Sequence, residues 1–524
     1  MTPDLIYLVE IDAYDPGSAS VVTLRFASGL GMVTGPSETP PNVHFAPLLT
    51  QPINFTRTAF SDARVMGGAD LGYGEIRLNN ADQSLSYMLD YGIDGRAIVV
   101  RVGLQGAAYP GGFTTLLTGT AEQLEAEDQE IIIRLRDRLA ILDEPIQPQK
   151  YGGTNVLPSG VDGVEGDIKD QEKPQGFGRV YHAPAPCVNT ARLIYGLHSR
   201  PDGSTATIQA VDAVYDMAWA LTAGTARANL AAMEANEPSP GYYDWCLSPP
   251  FVRLGAAPLG RITVDFRGEA TGSYPNTVAG IVKRILLQAG VSSGDIDDAS
   301  FTALDTAAPY EVGLWTKPGE TRLQAIERLL LSCGAWLAPD RLGVWRIGQL
   351  VAPSGAPAII FTDAEIETLK RRATNDAERG VPVYKATLRY KQWQATFSDG
   401  DIAGSITSTS ARAELMKEWR SAATPPDTSV QTKHLLAGEL KRDTCLTGAS
   451  DAATEAARVL ALHKVRRDFV EAEVTTTASN ATVDLGSLVE LRTSRLDYAD
   501  GRLFRVVGIT ADGAKNALQL DLWG

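Results

Sequence analysis

Hydrophobic and polar residues alternate over short stretches along most of the chain, which is typical of half-buried β-strands. The clearest example lies between Gly72 and Pro148. In its first half we predict a strand at 74–78, a polar break at 79–82 and a second strand at 96–103. Asp94-Gly95 precedes the second strand and suits a two-residue hairpin turn, because both central residues of that turn need positive φ. We therefore predict a strand, a tight turn and a strand.

The second half of this unit repeats the pattern. It contains a strand at Phe113–Thr120, a turn near Glu127-Asp128 and a strand at Ile131–Asp137. The predicted buried positions are Ile76, Leu78, Ile131, Ile133 and Leu135, and Arg134 and Arg136 are predicted to point away. Together the two halves predict a small antiparallel β unit that closes into a barrel or a sandwich.

The two ends of the chain are similar in type. The predicted strands are 6–11 and 21–26 at the start, and 469–474, 487–492, 503–509 and 517–523 at the end. Both regions are meanders of short strands broken by Gly/Asp turns, so we predict a duplicated barrel. Residues 29–54, rich in Gly, Pro, Ser and Thr, are predicted to form a long surface loop that contacts partners.

The middle of the chain mixes strands and helices. The predicted elements are strands at 206–211, 251–254 and 260–267, an alanine-rich helix at Asp216–Ala235, amphipathic helices at Asn276–Gln288 and from Thr321 to Gly334, a hairpin at 335–347 and a last helix at Asp451–Arg467. Gly290 is placed to end the second helix, and Thr321 with Gln324 forms a capping box at the start of the third.

These elements predict a mainly β, multi-domain protein with α+β insertions. The predicted divisions are 1–150, a tube-like β-barrel domain; 151–178, a linker or inter-subunit arm; 179–267, a β-rich domain with the alanine-rich helix; 268–360, an α+β helix-hairpin module; and 361–524, a second β-barrel domain with one helix. At 524 residues, about three or four domains are expected. The segment at 151–178 suits a linker and an arm equally well.

Composition narrows the class of protein further. The 44% hydrophobic and 21% charged residues predict a folded chain, and a formal net charge of −15 argues against nucleic acid as the main partner. The N-terminal sequence Met1–Tyr7 lacks a basic and an apolar region, so we expect no signal peptide. No run of apolar residues is long enough to predict a membrane span, so we expect no stable membrane insertion.

Residues that often carry chemistry are scattered. Cys187, Cys246, Cys333 and Cys445 lie far apart, which favours buried thiols over a zinc finger or a disulfide framework. The histidines are His44, His182, His198, His434 and His463. None pairs with another four residues on, and neither a P-loop nor a Gly-x-Ser-x-Gly motif is present.

Acidic and aromatic residues are the remaining candidate binding groups. Glu122, Glu125, Glu127 and Asp128 form one acidic cluster, and Asp295, Asp297 and Asp298 form another that lacks the spacing of a calcium loop. Tryptophans at 219, 245, 315, 336, 345, 393, 419 and 523 are expected to pack in cores more often than to stack on sugars. We therefore predict no catalytic residue, no metal ligand and no cofactor site, and a structural role.

With these segments in place, the chain resembles the baseplate hub (tail-tip hub) proteins of long-tailed bacteriophages, of the siphophage and prophage type. The segments that carry the resemblance are Gly74–Asn79, Tyr91–Arg96, Ile133–Arg138, Leu142–Pro148, Leu331–Leu337, Asp340–Gly343, Phe504–Ile509 and Leu520–Gly524. They extend over most of the chain and consist of structural turns and strands.

The resemblance implies a homotrimer located in the virion at the tail tip and assembled in the host cytoplasm. Each subunit would supply two tail-tube-like barrels to a pseudo-sixfold ring that continues the tail tube and conducts DNA during ejection. The implied partners are the distal tail protein ring, the tape-measure protein and a central fibre or spike, with genomic DNA only in transit. Some tail-tip relatives hold an iron–sulfur cluster, which the scattered cysteines leave open here.

Three other functions remain as alternatives. A hexameric distal tail ring protein has the same class of fold, although such proteins are usually shorter. A carbohydrate-active or cell-wall-degrading tail enzyme requires a cleft with paired carboxylates. A receptor-binding module requires direct binding of host surface glycans.

Overall fold

The computed structural model describes residues 5–60, 70–136, 138–372, 382–477 and 479–524. Strands make up 42% of it and helices 17%, distributed over several sheets, so the predicted mainly β, multi-domain class is confirmed. Met1–Asp4 and Asp137, for which predictions were made above, lie outside the described residues. No helix in the described ranges is long and apolar enough to cross a membrane.

The first region is a β-barrel. Its strands are β1 Leu5–Asp15, β2 Ser20–Ala27, β3 Met32–Val33, β4 His44–Phe45, β5 Leu49–Gln51, β6 Asn54–Thr58, β7 Asp70–Tyr73, β8 Glu75–Asn79, β9 Ala97–Leu104, β10 Phe113–Ala126 and β11 Glu130–Leu135. Seven of them form the sheet of the barrel in the order β2-β1-β9-β10-β11-β8-β5, whereas β3 pairs with β4, and β6 and β7 pair outside this sheet. The predicted core positions Ile76, Leu78, Ile131, Ile133 and Leu135 are all buried.

A single segment joins the two edges of this sheet. The Ala27 N–H donates to the Ala46 carbonyl at 2.7 Å, and the Ala46 N–H donates to the Arg25 carbonyl at 3.1 Å. Three residues later, Leu49 of β5 pairs with Leu78 of β8 at the opposite edge. The predicted loop at 29–54 therefore contains the strand that closes the barrel.

The hairpin predicted at Asp94-Gly95 is wrong. β8 pairs with β11, and β9 pairs with β1 and β10, so β8 and β9 are not neighbours. A 3₁₀ segment at Ser86–Asp90 with Met88 buried carries the chain between them. Gly95 does adopt positive φ (70°), but in a turn whose Arg96 N–H donates to the Ile93 carbonyl, because core packing and not local turn preference selects the strand partners. The second predicted hairpin, β10 with β11, is confirmed.

The second region is built from two five-stranded sheets. Its elements are β12 Thr154–Val156, β13 Ser159–Val164, β14 Gly176–Pro184, β15 Cys187–Asn189, β16 Ile194–Gly196, β17 Ile208–Asp216, β18 Trp219–Ala220, β19 Thr222–Arg227, α1 Leu230–Ala235, β20 Tyr242–Leu247, β21 Pro250–Leu254 and β22 Ile262–Glu269. β14, β17 and β22 form the centre of one sheet, and β16, β20 and β21 form the centre of the other. Residues 151–178 contain the β12–β13 hairpin, and Tyr151 is buried against the β15–β16 pair.

The helix predicted at Asp216–Ala235 is wrong over most of its length. Met217 and Ala218 adopt positive φ and turn the chain, and β19 then pairs in parallel with β20. A Cβ on Gly224 would lie 2.5 Å from the Asp244 carboxylate, so the close approach of the two strands requires glycine there. Only α1 is helical, because tertiary strand pairing overrides the helix preference of alanine.

The α+β module is close to its prediction. Its elements are α2 Val278–Gln288, α3 Asp298–Ala307, β23 Gly313–Trp315, α4 Arg322–Leu330, β24 Ala335–Pro339 and β25 Trp345–Gln349. Thr277 caps α2, and Gly290 follows its end at a φ of 92°. The capping box of Thr321 and Gln324 is present, although α4 ends at Leu330 rather than at Gly334. Helix α3 was not predicted.

The last region is a second barrel-like sheet with a small lateral sheet. Its elements are β26 Ile359–Thr362, β27 Ile366–Arg372, β28 Lys385–Tyr390, α5 Thr409–Leu415, β29 Arg420–Ala423, α6 Thr428–Lys433, β30 Glu439–Asp443, α7 Ala449–His463, β31 Phe469–Thr475, β32 Leu488–Thr493, β33 Tyr498–Asp512 and β34 Ala517–Trp523. The main order is β26-β32-β33-β34-β31-β27. β26 and β27 follow each other directly in the chain, so one segment again lies at both edges of a sheet.

The two barrels share a topology. β8, β9, β10 and β11 occupy the order 9-10-11-8, and β31, β32, β33 and β34 occupy the equivalent order 32-33-34-31. The register shifts at equivalent places: between Ala121 and Gln123 in the first barrel, and between Val506 and Gly508 in the second. A second shared shift lies in β5 and in β27. This correspondence agrees with the predicted duplication.

Candidate assembly interface

The two barrels are joined by a strand that passes from one sheet to the other. After β5, the chain leaves the first barrel, and β6 pairs antiparallel with the second half of β33, with Asn54 opposite Asp512 and Thr58 opposite Gly508. The Ala59 N–H extends the ladder by donating to the Val507 carbonyl at 2.8 Å. Backbone hydrogen bonds thus fix the second barrel against the first by strand addition, the mode in which an open sheet edge accepts another strand.

Arg57 is the charged group at the centre of this junction. Its side chain is 1% exposed, and its Nη2 lies 2.8 Å from Oδ1 of Asp484 in the second barrel. Its Nη1 donates to the Pro339 carbonyl at 3.2 Å, and its guanidinium lies 5.4 Å from the centre of the Phe55 ring. Because a buried charge is costly unless it is paired, Arg57 and Asp484 hold the barrels in one arrangement.

A loop of the α+β module closes the same junction. The Arg341 N–H donates to Oδ2 of Asp484 at 3.1 Å, and the Arg341 carbonyl accepts from Thr118 of β10 at 2.9 Å. The Arg341 side chain also donates to the Thr115 carbonyl. The loop therefore contacts the first barrel on one side and the second barrel on the other.

The seam encloses little free space. A cavity of about 30 Å³ lies between the barrels and is lined by Tyr7, Phe55, Arg57, Ile509 and Asp512 among others. Burial raises the pKa of Tyr7 to about 12, partly offset by a hydrogen bond with Thr476 of the second barrel. A cavity of this size has room for about one water molecule, so the seam is a packed contact and has no space for a substrate.

His198 lies in a buried pair with Glu269. His198 Nε2 is 2.6 Å from Glu269 Oε2, and Nδ1 accepts from the Gly176 N–H at 3.1 Å, so Nε2 carries the proton that is donated to Glu269. Burial alone would raise the pKa of Glu269, but the hydrogen bonds from His198 and Thr271 lower it below its ordinary value. Both side chains are 0% exposed, so this pair stabilises the fold and does not face a binding site.

His182 packs among aromatic rings. Its ring lies 4.5 Å from Tyr215 and 4.2 Å from Trp393, centre to centre, and so joins the second region to the last one. Burial, with smaller contributions from Arg420 and Lys391, lowers the pKa of His182 to about 4. The other histidines are dispersed: His44 is exposed, His434 is half-buried and His463 lies near the Trp523 ring.

The four cysteines are free thiols, with Cys187 half-buried and the other three buried. Burial raises the pKa of Cys333 to about 12 and raises that of Cys445 as well. Across the ranges that the structure describes, no group of three or more His, Cys, Asp or Glu side chains is arranged to hold a metal ion.

Asp297, Asp298 and Glu125 of the two acidic clusters form ion pairs, and Glu122, Glu127, Asp128 and Asp295 are exposed. Asp297 binds Arg346 at 2.9 Å, and Asp298 binds Lys283 at 2.7 Å. The Arg346 guanidinium holds the pKa of Asp297 below its ordinary value. Glu125 binds Arg134 across the β10–β11 pair at 2.7 Å.

A cleft lies between the second region and Ala403 and Ser405 of the last region. Its volume is about 270 Å³, and its lining includes Trp219, Tyr242, Pro258 and Leu259. The single carboxylate among the lining residues, Asp216, accepts hydrogen bonds from the Leu259 and Gly260 N–H groups at 2.7 and 2.9 Å. The pair of carboxylates that a glycosidase requires is therefore not formed by these lining residues.

Neither a family model nor a curated protein matches this chain. Among solved structures, it is similar to a tail protein from Neisseria meningitidis MC58, with 10% identity, a TM-score of 0.41 and coverage of 99% of this chain and 96% of that one. It is also similar to the 43 kDa tail protein of prophage MuSo2 from Shewanella oneidensis, with 11% identity, a TM-score of 0.38 and coverage of 99% and 98%. A chain in the virion of a native gene transfer agent particle has 15% identity, a TM-score of 0.42 and coverage of 73% and 91%.

The first two of these structures are named as tail proteins, and the third is a chain of a virion particle. The residues of the junction were not identified from the sequence. The alternation of Asn54–Thr58, with Phe55 and Arg57 buried and Asn54 and Thr56 exposed, was the signal that could have predicted β6.

Proposed function

We propose that this chain is a structural hub of a phage tail tip, in which copies of the chain form a ring that extends the tail tube. The observation that carries the proposal is the junction itself: two barrels of the same topology, joined edge to edge by β6 on β33. Repeating the same strand pairing between copies of the chain would extend this two-barrel unit into a ring.

The proposed ring is a homotrimer with six barrels. An interface that joins the front of one unit to the back of the next is heterologous, and it closes into a ring when the rotation per step divides a full turn. The formal net charge of −15 supports a conduit role, since a negative lumen repels DNA and lets it slide.

The proposed location is the virion, at the tail tip, after assembly in the host cytoplasm. The partners would be a distal tail protein ring above, the tape-measure protein in the lumen and a central fibre or spike below, with genomic DNA only in transit. The role is structural and gives the DNA a path during ejection. Two observations support a role without catalysis. The junction has no space for a substrate, and Asp297, Asp298 and Glu125 are held in ion pairs.

Imaging of virions that carry a label on this chain tests the proposal. A hub gives a label on the tail axis at the tip, and the mass of the purified assembly corresponds to three copies. Six copies would instead favour the distal tail ring, and a label away from the axis would refute both. Hydrolysis of cell-envelope polymers by the purified chain would favour the enzyme alternative.

A further inference from the structure

The further inference concerns the edge of β10 and rests on the proposed function. β10 and β33 are equivalent strands: each pairs with one neighbour over its first half and with another over its second half. In β33, pairing with β32 ends at Arg505, and pairing with β34 continues to Asp512. In β10, pairing with β9 ends at Thr120, and pairing with β11 continues to Ala126.

The second half of β33 pairs with β34 on one side and with β6 on the other. Among the described strands, the second half of β10 pairs with β11 on one side only. The free side of β33 accepts β6 at Gly508–Asp512. Matching the shared register shifts aligns this stretch with Gln123–Glu127. Among the described residues, no strand pairs with the outer edge of that stretch, and Gln123, Ala126 and Glu127 are exposed.

The counterpart of β6 in the second barrel follows from the same alignment. Leu49 and Gln51 of β5 flank the register shift that Ile366 and Thr368 flank in β27. Counting on from these shifts by residue number, Asn54 and Phe55 of β6 correspond to Arg371 and Arg372, which form the end of β27 and pair with Val470 and Phe469 of β31. These two arginine side chains are 42% and 46% exposed.

We propose that the β10 edge at Gln123–Glu127 binds a second copy of this chain, through the Arg371–Arg372 end of that copy's β27. Transfer of the observed register places Arg371 opposite Glu127 and Arg372 opposite Ala126. Glu122 and Glu127 are exposed on this edge. Lys370, Arg371 and Arg372 form ion pairs with Glu471 and Asp468 of their own barrel, but their side chains stay 73%, 42% and 46% exposed, so the two edges present opposite charges to each other. The interface runs from the second barrel of one copy to the first barrel of the next.

Disulfide trapping of the full-length chain tests this pairing. The double variant A126C/R372C places a cysteine on each proposed partner surface, and mild oxidation is expected to link copies to one another. The expected product on a non-reducing gel is a covalent series ending at the trimer. The A126C and R372C single variants control for the four native thiols and should not form this series.

The matched control pair is A126C/S20C, since Ser20 is an exposed residue of β2, which belongs to a different sheet from β27. Crosslinking of A126C/S20C as strong as that of A126C/R372C would overturn the inference, and so would a wild-type chain that stays monomeric at every concentration tested by native mass spectrometry. Virion labelling separates this result from the proposed function. A chain at the tail tip without this crosslink refutes the edge pairing alone, and the crosslink in a chain absent from the tail axis refutes the hub.

Discussion

Arg57 and Asp484 form an ion pair at 2.8 Å although they belong to opposite ends of the chain. The pair lies where β6 meets the second barrel, beside the backbone hydrogen bonds between β6 and β33. The relative placement of the two barrels therefore depends on the contact between the Arg57 guanidinium and the Asp484 carboxylate.

Removing Arg57 is expected to destabilise the protein strongly. Arg57→Ala leaves Asp484 at the seam without its cation, and breaking a buried pair from one side costs about 3–5 kcal/mol. The free energy of unfolding from denaturant titration measures the loss.

The matched control for this substitution is Arg134→Ala, because Arg134 and Glu125 form an ion pair at a similar distance with side chains 52% and 39% exposed. An ion pair between exposed side chains contributes little to stability, so the control should stay close to wild type. Equal effects of the two substitutions would show that the buried pair does not hold the seam.

Gly74 is expected to tolerate no side chain. It lies between β7 and β8, where a Cβ would stand 1.4 Å from the carbonyl oxygen of Asn54 at the start of β6. Gly74→Ala must therefore displace β6, and overpacking of this kind costs about 1–3 kcal/mol or more. Gly111→Ala is the control, because a Cβ there meets nothing within 4 Å. A Gly74→Ala variant with the thermal stability of Gly111→Ala would contradict the close approach.

Local patterns in the sequence predicted the elements that short-range interactions determine. The β10–β11 hairpin, the capping box at Thr321 and the glycine after α2 all depend on residues a few positions apart. Strand partners depend on contacts across the whole chain, which is why Asp94-Gly95 was assigned to a hairpin that does not form and the alanine-rich segment before α1 was assigned to a helix.

The junction was missed for the same reason. The strand β6 has the alternation of a β-strand, but nothing near it in the sequence indicates that its partner is β33. Asp484 likewise follows no motif, and its role is visible only where Arg57 and the loop of Arg341 converge on it.

The thiols provide a test of the second region and the α+β module. Cys187 is half-buried, and Cys246, Cys333 and Cys445 are buried, so a small thiol reagent at neutral pH should modify Cys187 alone in the folded protein. Burial also raises the pKa of Cys333 to about 12, which keeps that group in the unreactive thiol form. Four modified cysteines are expected in denaturant. Rapid labelling of more than one thiol in the native state, measured by intact mass, would contradict the burial of Cys246, Cys333 and Cys445.

Because burial lowers the pKa of His182, we expect the protein to lose stability in mild acid. Its folded pKa of about 4 lies below the unfolded value of 6.5, so the unfolded chain binds the proton more readily. The contribution of neutral His182 to the free energy of unfolding is therefore complete above pH 6.5 and is lost as the pH falls through 4. At about 1.4 kcal/mol per pKa unit, the full loss is about 3 kcal/mol. Burial raises the pKa of the neighbouring Asp265 to about 6, which acts in the opposite direction.

A comparison of variants isolates the contribution of His182 from that of Asp265. The difference in free energy of unfolding between wild type and His182→Gln should shrink as the pH is lowered from 6.5 to 4, because the glutamine has no proton to gain. His44→Gln is the matched control, since His44 is exposed and lies outside the aromatic cluster of Tyr215 and Trp393. A constant difference across this range would mean that His182 gains its proton without leaving the cluster, and that the contact between the second and last regions does not depend on the neutral ring.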